Sequence, residues 1–258
     1  MEVFTQRLEQ EYDCSVILTA PSVSYKAVLK PIESIRRRHG GQAEIDIIDP
    51  SKFPNNSEVD HFLEPVVKAT LLFPVELQGK IMQLCKKRRG SQLAIESIDQ
   101  SRMMMLYRLP FSEMITDFYD ELKQISSGYA SLDYEEDGYE PAELLKLDVA
   151  LNKRNIEEFS IVVPKAEVRS RARELCAKLK HEIPRQWYQV AIQAKVGNHI
   201  YARENIKAFR KAVAAKLYGG DLTRKRKLQA RQNEGKRRMK ELNQVQIPKE
   251  AFRNVMKK

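Results

Sequence analysis

Apolar and polar residues in the middle of the chain follow two periods in turn, that of a strand and that of a helix. Strand-like runs occupy residues 66–73, 93–98, 103–109 and 129–134. After Pro74 and again after Pro110, apolar residues recur every three or four positions, and proline is favoured at the first position of a helix. The order β-α-β-β-α-β predicts a ferredoxin-like fold, a four-stranded antiparallel sheet with two helices on one face.

The part before this pattern predicts a helix over residues 1–12 and strands over 15–19 and 24–29. No capping residue precedes the helix, so we expect further sequence before residue 1. Residues 30–62 carry an arginine run, paired glycines and three prolines, which predict a loop and linker with at most one strand.

The part after the pattern opens with an acidic turn at 133–141 and continues as a second α+β unit. We predict a strand at 144–151, a turn at 152–155 and a helix from about 164 to 181. The alternation at 190–196 and the Gly197-Asn198 turn predict a hairpin that returns over 200–203. Helices are predicted over 205–217 and, after Asp221 as a cap, to about 242; the second has little to bury.

Charge is distributed very unevenly along this sequence. The net charge is +10, yet residues 1–160 hold 19 Lys/Arg against 27 Asp/Glu, and residues 161–258 hold 26 against 8. Such a concentrated positive field attracts a polyanion, either nucleic acid or an anionic membrane surface. A solvated basic helix is the plain alternative. Membrane insertion is disfavoured because 221–241 lacks a broad apolar face.

The basic groups predict phosphate contacts with structured RNA, where shape and stacking side chains such as Tyr218 or Tyr201 would add selectivity. The candidate RNA-binding residues are Arg203, Lys207, Arg210, Lys211, Lys216, Tyr218, Arg224, Lys225, Arg226, Lys227, Arg231, Lys236, Arg237, Arg238 and Lys240.

Catalytic and metal motifs are not found in the sequence. There is no GxSxG, HExxH or GxxxxGK[ST], and Gly79-Lys80 is followed by Ile81 within a predicted helix. The three cysteines are far apart, and the four histidines lack metal-ligand spacing. An acidic group at 133–137 could hold a divalent cation, although a solvated turn is the simpler interpretation. We therefore expect no enzyme activity, cofactor or metal in this chain, and no integral membrane segment.

Several short stretches resemble the LepA family, also called elongation factor 4. They are Pro184-Arg185-Gln186, Val190-Ala191-Ile192-Gln193-Ala194, Ala202-Arg203-Glu204, Lys216-Leu217-Tyr218-Gly219-Gly220-Asp221 and Gly235-Lys236-Arg237-Arg238-Met239-Lys240. Earlier stretches, such as Thr19-Ala20-Pro21, Glu64-Pro65 and Arg88-Arg89-Gly90, resemble the middle domains of the same family. The resemblance is colinear and covers essentially the whole chain.

The resemblance implies a C-terminal portion of a ribosome-associated GTPase similar to elongation factor G. Residues 1–62 would be part of the third domain plus a linker, 63–140 the ferredoxin-like domain, and 141–258 a basic domain specific to LepA. GTP, magnesium and GTP hydrolysis belong to preceding domains of intact members. The implied partners are large-subunit ribosomal RNA and transfer RNA, the implied role is back-translocation or fidelity control, and the chain is expected to be a monomer.

Two departures from bacterial family members point to an organelle. Residues 30–52 are longer and more charged, and Gly197-Asn198-His199-Ile200-Tyr201 differs from the usual pattern. They favour a mitochondrial form in the matrix, peripherally associated with the inner membrane, over the bacterial cytoplasm. A stand-alone RNA-binding or ribosome-assembly protein without GTPase activity is the alternative function.

Overall fold

The computed structural model describes residues 7–8, 10–13, 21–212, 222–242 and 245–256. The predicted strand at 15–19 and most of the predicted N-terminal helix lie outside these residues; residues 7–8 and 10–12 are helical. The chain divides into two units, Pro21–Leu144 and a second that contains Leu145–Lys258. Each is built on one antiparallel sheet with helices, so the predicted α+β class is confirmed.

The first unit contains a six-stranded sheet of order β2-β1-β3-β5-β4, with β6 also paired to β3. The long strand β3 pairs near its start with β1 and further along with β5, while β6 runs along its other edge. The strands are β1 (Tyr25–Leu29), β2 (Glu44–Ile47), β3 (Val59–Pro74), β4 (Ser91–Ser97), β5 (Arg102–Pro110) and β6 (Ser131–Ala142).

Three helices of the first unit share a core with one face of this sheet: α2 (Gln78–Lys87), α3 (Phe111–Ile115) and α4 (Phe118–Ile125). A further helix, α1 (Glu33–Arg38), lies between β1 and β2 in the chain. Alternate β3 residues from Val67 to Phe73 are buried with Ile81 of α2 and Phe118 of α4, because every second side chain of a strand points to the same face. The strand order β6-β3-β5-β4 confirms the predicted ferredoxin-like topology.

The largest corrections in this unit concern its polar stretches. Residues 133–141, predicted as an acidic turn, belong to β6, whose backbone pairs with β3. Asp137 and Glu140 of this strand accept hydrogen bonds from Arg108 at 2.6 and 2.8 Å, which satisfies two of the carboxylates. Residues 30–62 form α1, β2 and the start of β3, so they are more than a linker. Boundaries predicted at 62 and 140 fall within strands, and the domain limits stay a prediction.

A buried ionic network lies where α2 ends against α3 and α4. Arg88 is 3% exposed and donates hydrogen bonds to Glu113 at 3.3 Å and Glu121 at 2.7 Å. Arg89 donates two hydrogen bonds to the carboxylate of Glu64, at 2.8 and 3.0 Å. These two arginines of the basic run 86–89 therefore stabilise the unit from inside.

The second unit contains a four-stranded sheet of order β10-β9-β7-β8. Asn152 and Lys153 both have positive φ, 50° and 73°, as a tight two-residue turn between β7 and β8 requires. Its elements are β7 (Leu144–Leu151), β8 (Arg154–Pro164), α5 (Val168–Glu182), β9 (Val190–Val196), β10 (His199–Ile206), α6 (Leu222–Leu242) and α7 (Lys249–Met256).

The core of this unit is sealed by α5 and by the short helix α7. Leu175, Cys176 and Leu179 of α5 are buried with the sheet, and Phe252 of α7 stacks on Phe159 of β8 with ring centroids 4.6 Å apart. The predicted hairpin of β9 and β10 is confirmed. The sequence prediction missed β8 and α7, and it began α5 several residues too early, at about 164.

Candidate nucleic-acid interface

The basic helix α6 is built almost without apolar contacts. It carries nine Lys/Arg and two Glu, and straight-chain residues of this kind favour helix formation. None of its residues is buried, and the terminal Leu222 and Leu242 are 69% and 80% exposed. As predicted, hydrophobic burial contributes little to this helix. No helix among the described residues is long and apolar enough to cross a membrane.

One face of α6 is turned toward the irregular segment 207–212. The half-buried positions Lys225, Leu228, Gln232 and Lys236 recur every three or four residues, which places them on one side of the helix. The Gln232 side chain donates a hydrogen bond to the backbone carbonyl of Lys211 at 3.0 Å. The Lys236 ammonium donates to the carbonyl of Phe209. These contacts join the two basic stretches into one surface.

Charge on α6 is least compensated in its first half. Among the described residues, no carboxylate pairs with the five cations there, which are Arg224, Lys225, Arg226, Lys227 and Arg231. No acidic residue lies in the first turn, so the cations add to the positive end of the helix dipole. In the second half, Arg237 pairs with Glu241 at 3.6 Å and Arg238 with Glu234 at 2.6 Å. The first half is therefore the stronger candidate for binding phosphates.

The structure places the other candidate residues less uniformly. Lys207, Arg210 and Lys211 are exposed in segment 207–212, and Arg203 is exposed on β10. The predicted helix over 205–217 is wrong for 205–212, because 205–206 complete β10 and 207–212 have no regular structure. The contacts that join α6 to this segment do not include Arg203. Lys216 and Tyr218 lie outside the described residues.

Next to Arg203, the carboxylate of Glu204 is already compensated. It accepts a hydrogen bond from the Lys180 ammonium at 2.9 Å. This bond and the positive charge of Lys180 lower the pKa of Glu204. The negative charge of Glu204 is therefore balanced by the positive charge of Lys180, and Arg203 stays available as a cation.

Sequence patterns did not predict an exposed aromatic pair that Trp187 forms with Phe209 of segment 207–212. Trp187 is 65% exposed, and Phe209, which lies within the helix predicted over 205–217, is 45% exposed. Their ring centroids are 5.8 Å apart and the ring planes are inclined by 55°. Polar and proline neighbours of Trp187, Pro184-Arg185-Gln186, were the available signal that it lies in a loop.

Two family models match consecutive parts of the chain. The model described as "Elongation factor G C-terminus" matches residues 61–150, and "GTP-binding protein LepA C-terminus" matches 151–257. The first match contains the ferredoxin-like strands and helices, and the second contains α6 with segment 207–212.

Curated relatives extend these matches to the whole chain. "Translation factor GUF1, mitochondrial" of Homo sapiens is 51% identical over 257 residues, which is 100% of this chain and 38% of the human protein. The homologue from Trichoplax adhaerens is 47% identical over 258 residues, 39% of its own length. "Elongation factor 4" of Clostridium acetobutylicum is 44% identical over 257 residues, 41% of its length. The chain thus spans about two fifths of these relatives, and it belongs to the LepA (elongation factor 4) family of translation factors, matching the C-terminal part of its members.

Proposed function

We propose that this chain is the RNA-docking part of a LepA-type translation factor, which binds ribosomal RNA and transfer RNA and does not itself hydrolyse GTP. The observation that carries the proposal is the uncompensated cationic first half of α6, joined to the basic segment 207–212. A helix that buries nothing gains little from the fold, and four consecutive cations near its positive dipole end repel one another. Bound phosphates remove that repulsion and release condensed counterions.

The names of the relatives support the wider setting of this proposal. They are called translation factors, which favours this role over that of a stand-alone ribosome-assembly protein. The mitochondrial names support a mitochondrial location, and the bacterial relatives support the bacterial cytoplasm as the alternative. We further propose that the chain acts as a monomer, that GTP and magnesium bind to other domains, and that the intact factor adjusts elongation by back-translocation at the inner-membrane-associated ribosome.

Co-sedimentation with ribosomes over a salt series tests the docking proposal. A version ending at Gly220 would be a poor comparison, because it also removes α7, whose Phe252 and Val255 are buried in the core. Replacement of Arg224, Lys225, Arg226 and Lys227 together by glutamine removes the charge and leaves that core in place. Each lost phosphate contact makes the negative slope of log K against log salt shallower by roughly 0.7–0.9, so the loss of all four makes it shallower by about 3.

A matched control removes the same charge from the first unit. The exposed lysines Lys52, Lys80, Lys86 and Lys87 are replaced together by glutamine. If net charge alone drives binding, both variants lose affinity equally, and the assignment to α6 is wrong. A steep loss confined to the α6 variant supports it, while one substitution in the array is expected to cost little because neighbouring cations are partly redundant.

A further inference from the structure

The exposed pair Trp187 and Phe209, called the platform below, has the features of a surface on which a flat ligand stacks. Trp187 is the single tryptophan of the chain and leaves most of its indole in solvent. Large exposed aromatic side chains lose the favourable burial that such residues normally provide, and they are enriched where a partner covers them. The Phe209 ring is inclined by 55° to the indole, so it does not lie stacked on the indole face.

The platform is held in position by its neighbours before any partner arrives. The backbone N–H of Phe209 donates to the carbonyl of Gln186 at 2.9 Å. The Arg185 guanidinium donates to the carbonyls of Lys207 and Ala208 at 3.0 and 3.4 Å. These bonds fix segment 207–212 against the loop that carries Trp187. A preformed surface loses little conformational entropy on binding.

Cations surround this pair. The Arg185 guanidinium lies 5.3 Å from the centre of the Phe209 ring, and the Lys236 ammonium binds the Phe209 carbonyl. Lys207 and Arg210 flank Phe209 in the chain and are exposed. An apolar protein surface would gain nothing from these charges. A nucleic-acid strand offers both a flat base for the rings and phosphates for the cations.

We propose that an unpaired RNA base stacks on the exposed indole of Trp187, with the inclined Phe209 ring against its edge, and that Lys207, Arg210 and Lys211 neutralise its flanking phosphates. The base must be unpaired, because both faces of a base within a helix are already covered by its neighbours. This site rests on the proposed RNA-docking function and adds to it a preference for a single-stranded end or loop next to a helix.

Intrinsic fluorescence gives a direct test, since the whole tryptophan signal comes from Trp187. The full chain is titrated with an RNA hairpin that has a single-stranded 3′ extension, with the same hairpin after the extension is paired, and with heparin as a polyanion without bases. Affinity is measured in parallel by anisotropy of labelled RNA. Stacking predicts saturable quenching by the extended hairpin at the concentration where it binds, and little quenching by heparin.

Variants separate stacking from charge. Trp187→Ala is expected to weaken binding of the extended hairpin by about tenfold and to leave the affinity for the paired hairpin nearly unchanged. Trp187→Phe should retain most of the preference for the extended hairpin. Ile200→Ala, which removes another exposed apolar side chain of the same unit, should change neither affinity. Binding without quenching, or equal losses for both hairpins, overturns the stacking site and leaves the docking proposal standing. Absence of binding to either hairpin overturns both.

Discussion

Replacement of Arg88 by methionine should destabilise the first unit far more than loss of any surface ion pair. The side chain of Arg88 is 3% exposed and those of its partners, Glu113 and Glu121, are 9% and 28% exposed. Methionine fills much of the volume but leaves two carboxylates without their shared cation. Removal of one partner from a buried ion pair costs about 3–5 kcal/mol, because the remaining charge stays desolvated.

The structure places the expected loss at the low end of that range, about 3 kcal/mol. Glu113 keeps Arg89 at 3.7 Å, and Glu121, the more exposed carboxylate, keeps Lys87 at 3.7 Å. Adding Glu113→Leu to Arg88→Met should recover part of the loss, because the more deeply buried of the two carboxylates that lost Arg88 is then gone.

Hydrogen exchange of the β3 and β5 peptides across a urea series measures the stability of this unit separately from the other. Arg108→Met is the matched control, since Arg108 also pairs with two carboxylates, Asp137 and Glu140, but is 37% exposed. It should cost much less than Arg88→Met, because an ion pair in contact with solvent contributes little to stability. If Arg88→Met costs no more than this control, the buried network does not stabilise the unit as argued.

Two further predictions concern close packing and buried thiols. Gly90→Ala should destabilise the first unit by about 1–3 kcal/mol, because the new Cβ would lie 2.9 Å from the carbonyl oxygen of Cys85; Gly79→Ala, with nothing within 4 Å, should not destabilise in the same urea assay. Burial raises the pKa of the Cys85 thiol to about 12 and that of Cys176 to about 11, from an ordinary 9.0. Above pH 9.0 the unfolded chain loses these thiol protons while the folded chain keeps them. The contribution to stability is therefore full below pH 9.0 and is lost as the pH rises toward the pKa values of the folded state, which urea midpoints would show. In a Cys14→Ser background, Ellman's reagent at pH 8 should react slowly until urea is added, and fast reaction in the native state would contradict burial.

Local pattern was sufficient where an element both buries one face and ends at a clear signal. The alternation through 66–73 and 103–109, and the helical spacing after Pro74 and Pro110, predicted the ferredoxin-like sheet because each period exposes one side and buries the other. The hairpin around Gly197 followed for the same reason. The cationic array on α6 could also be predicted, since charge is read directly from residue type and a solvated helix keeps its charged side chains on the surface.

Elements whose side chains do not alternate were decided by their neighbours in space. β6 is acidic and mostly exposed over 133–141, and only its backbone pairing with β3 makes it a strand. Segment 207–212 has residues at helical spacing, yet hydrogen bonds from Arg185 and to Gln186 hold it against another loop. Sequence spacing contains no record of such long-range partners.

The two candidate sites of the second unit show the same division. The exposure of the α6 cations could be predicted from the sequence alone, because charged side chains are rarely buried; that they bind phosphates stays a prediction. The pairing of Trp187 with Phe209 could not be predicted, because the two residues are distant in the chain and an aromatic side chain is usually assigned to a core. Only the tertiary structure brings the two residues together. The backbone N–H of Phe209 donates to the carbonyl of Gln186, and this bond between the two loops holds both rings at the surface.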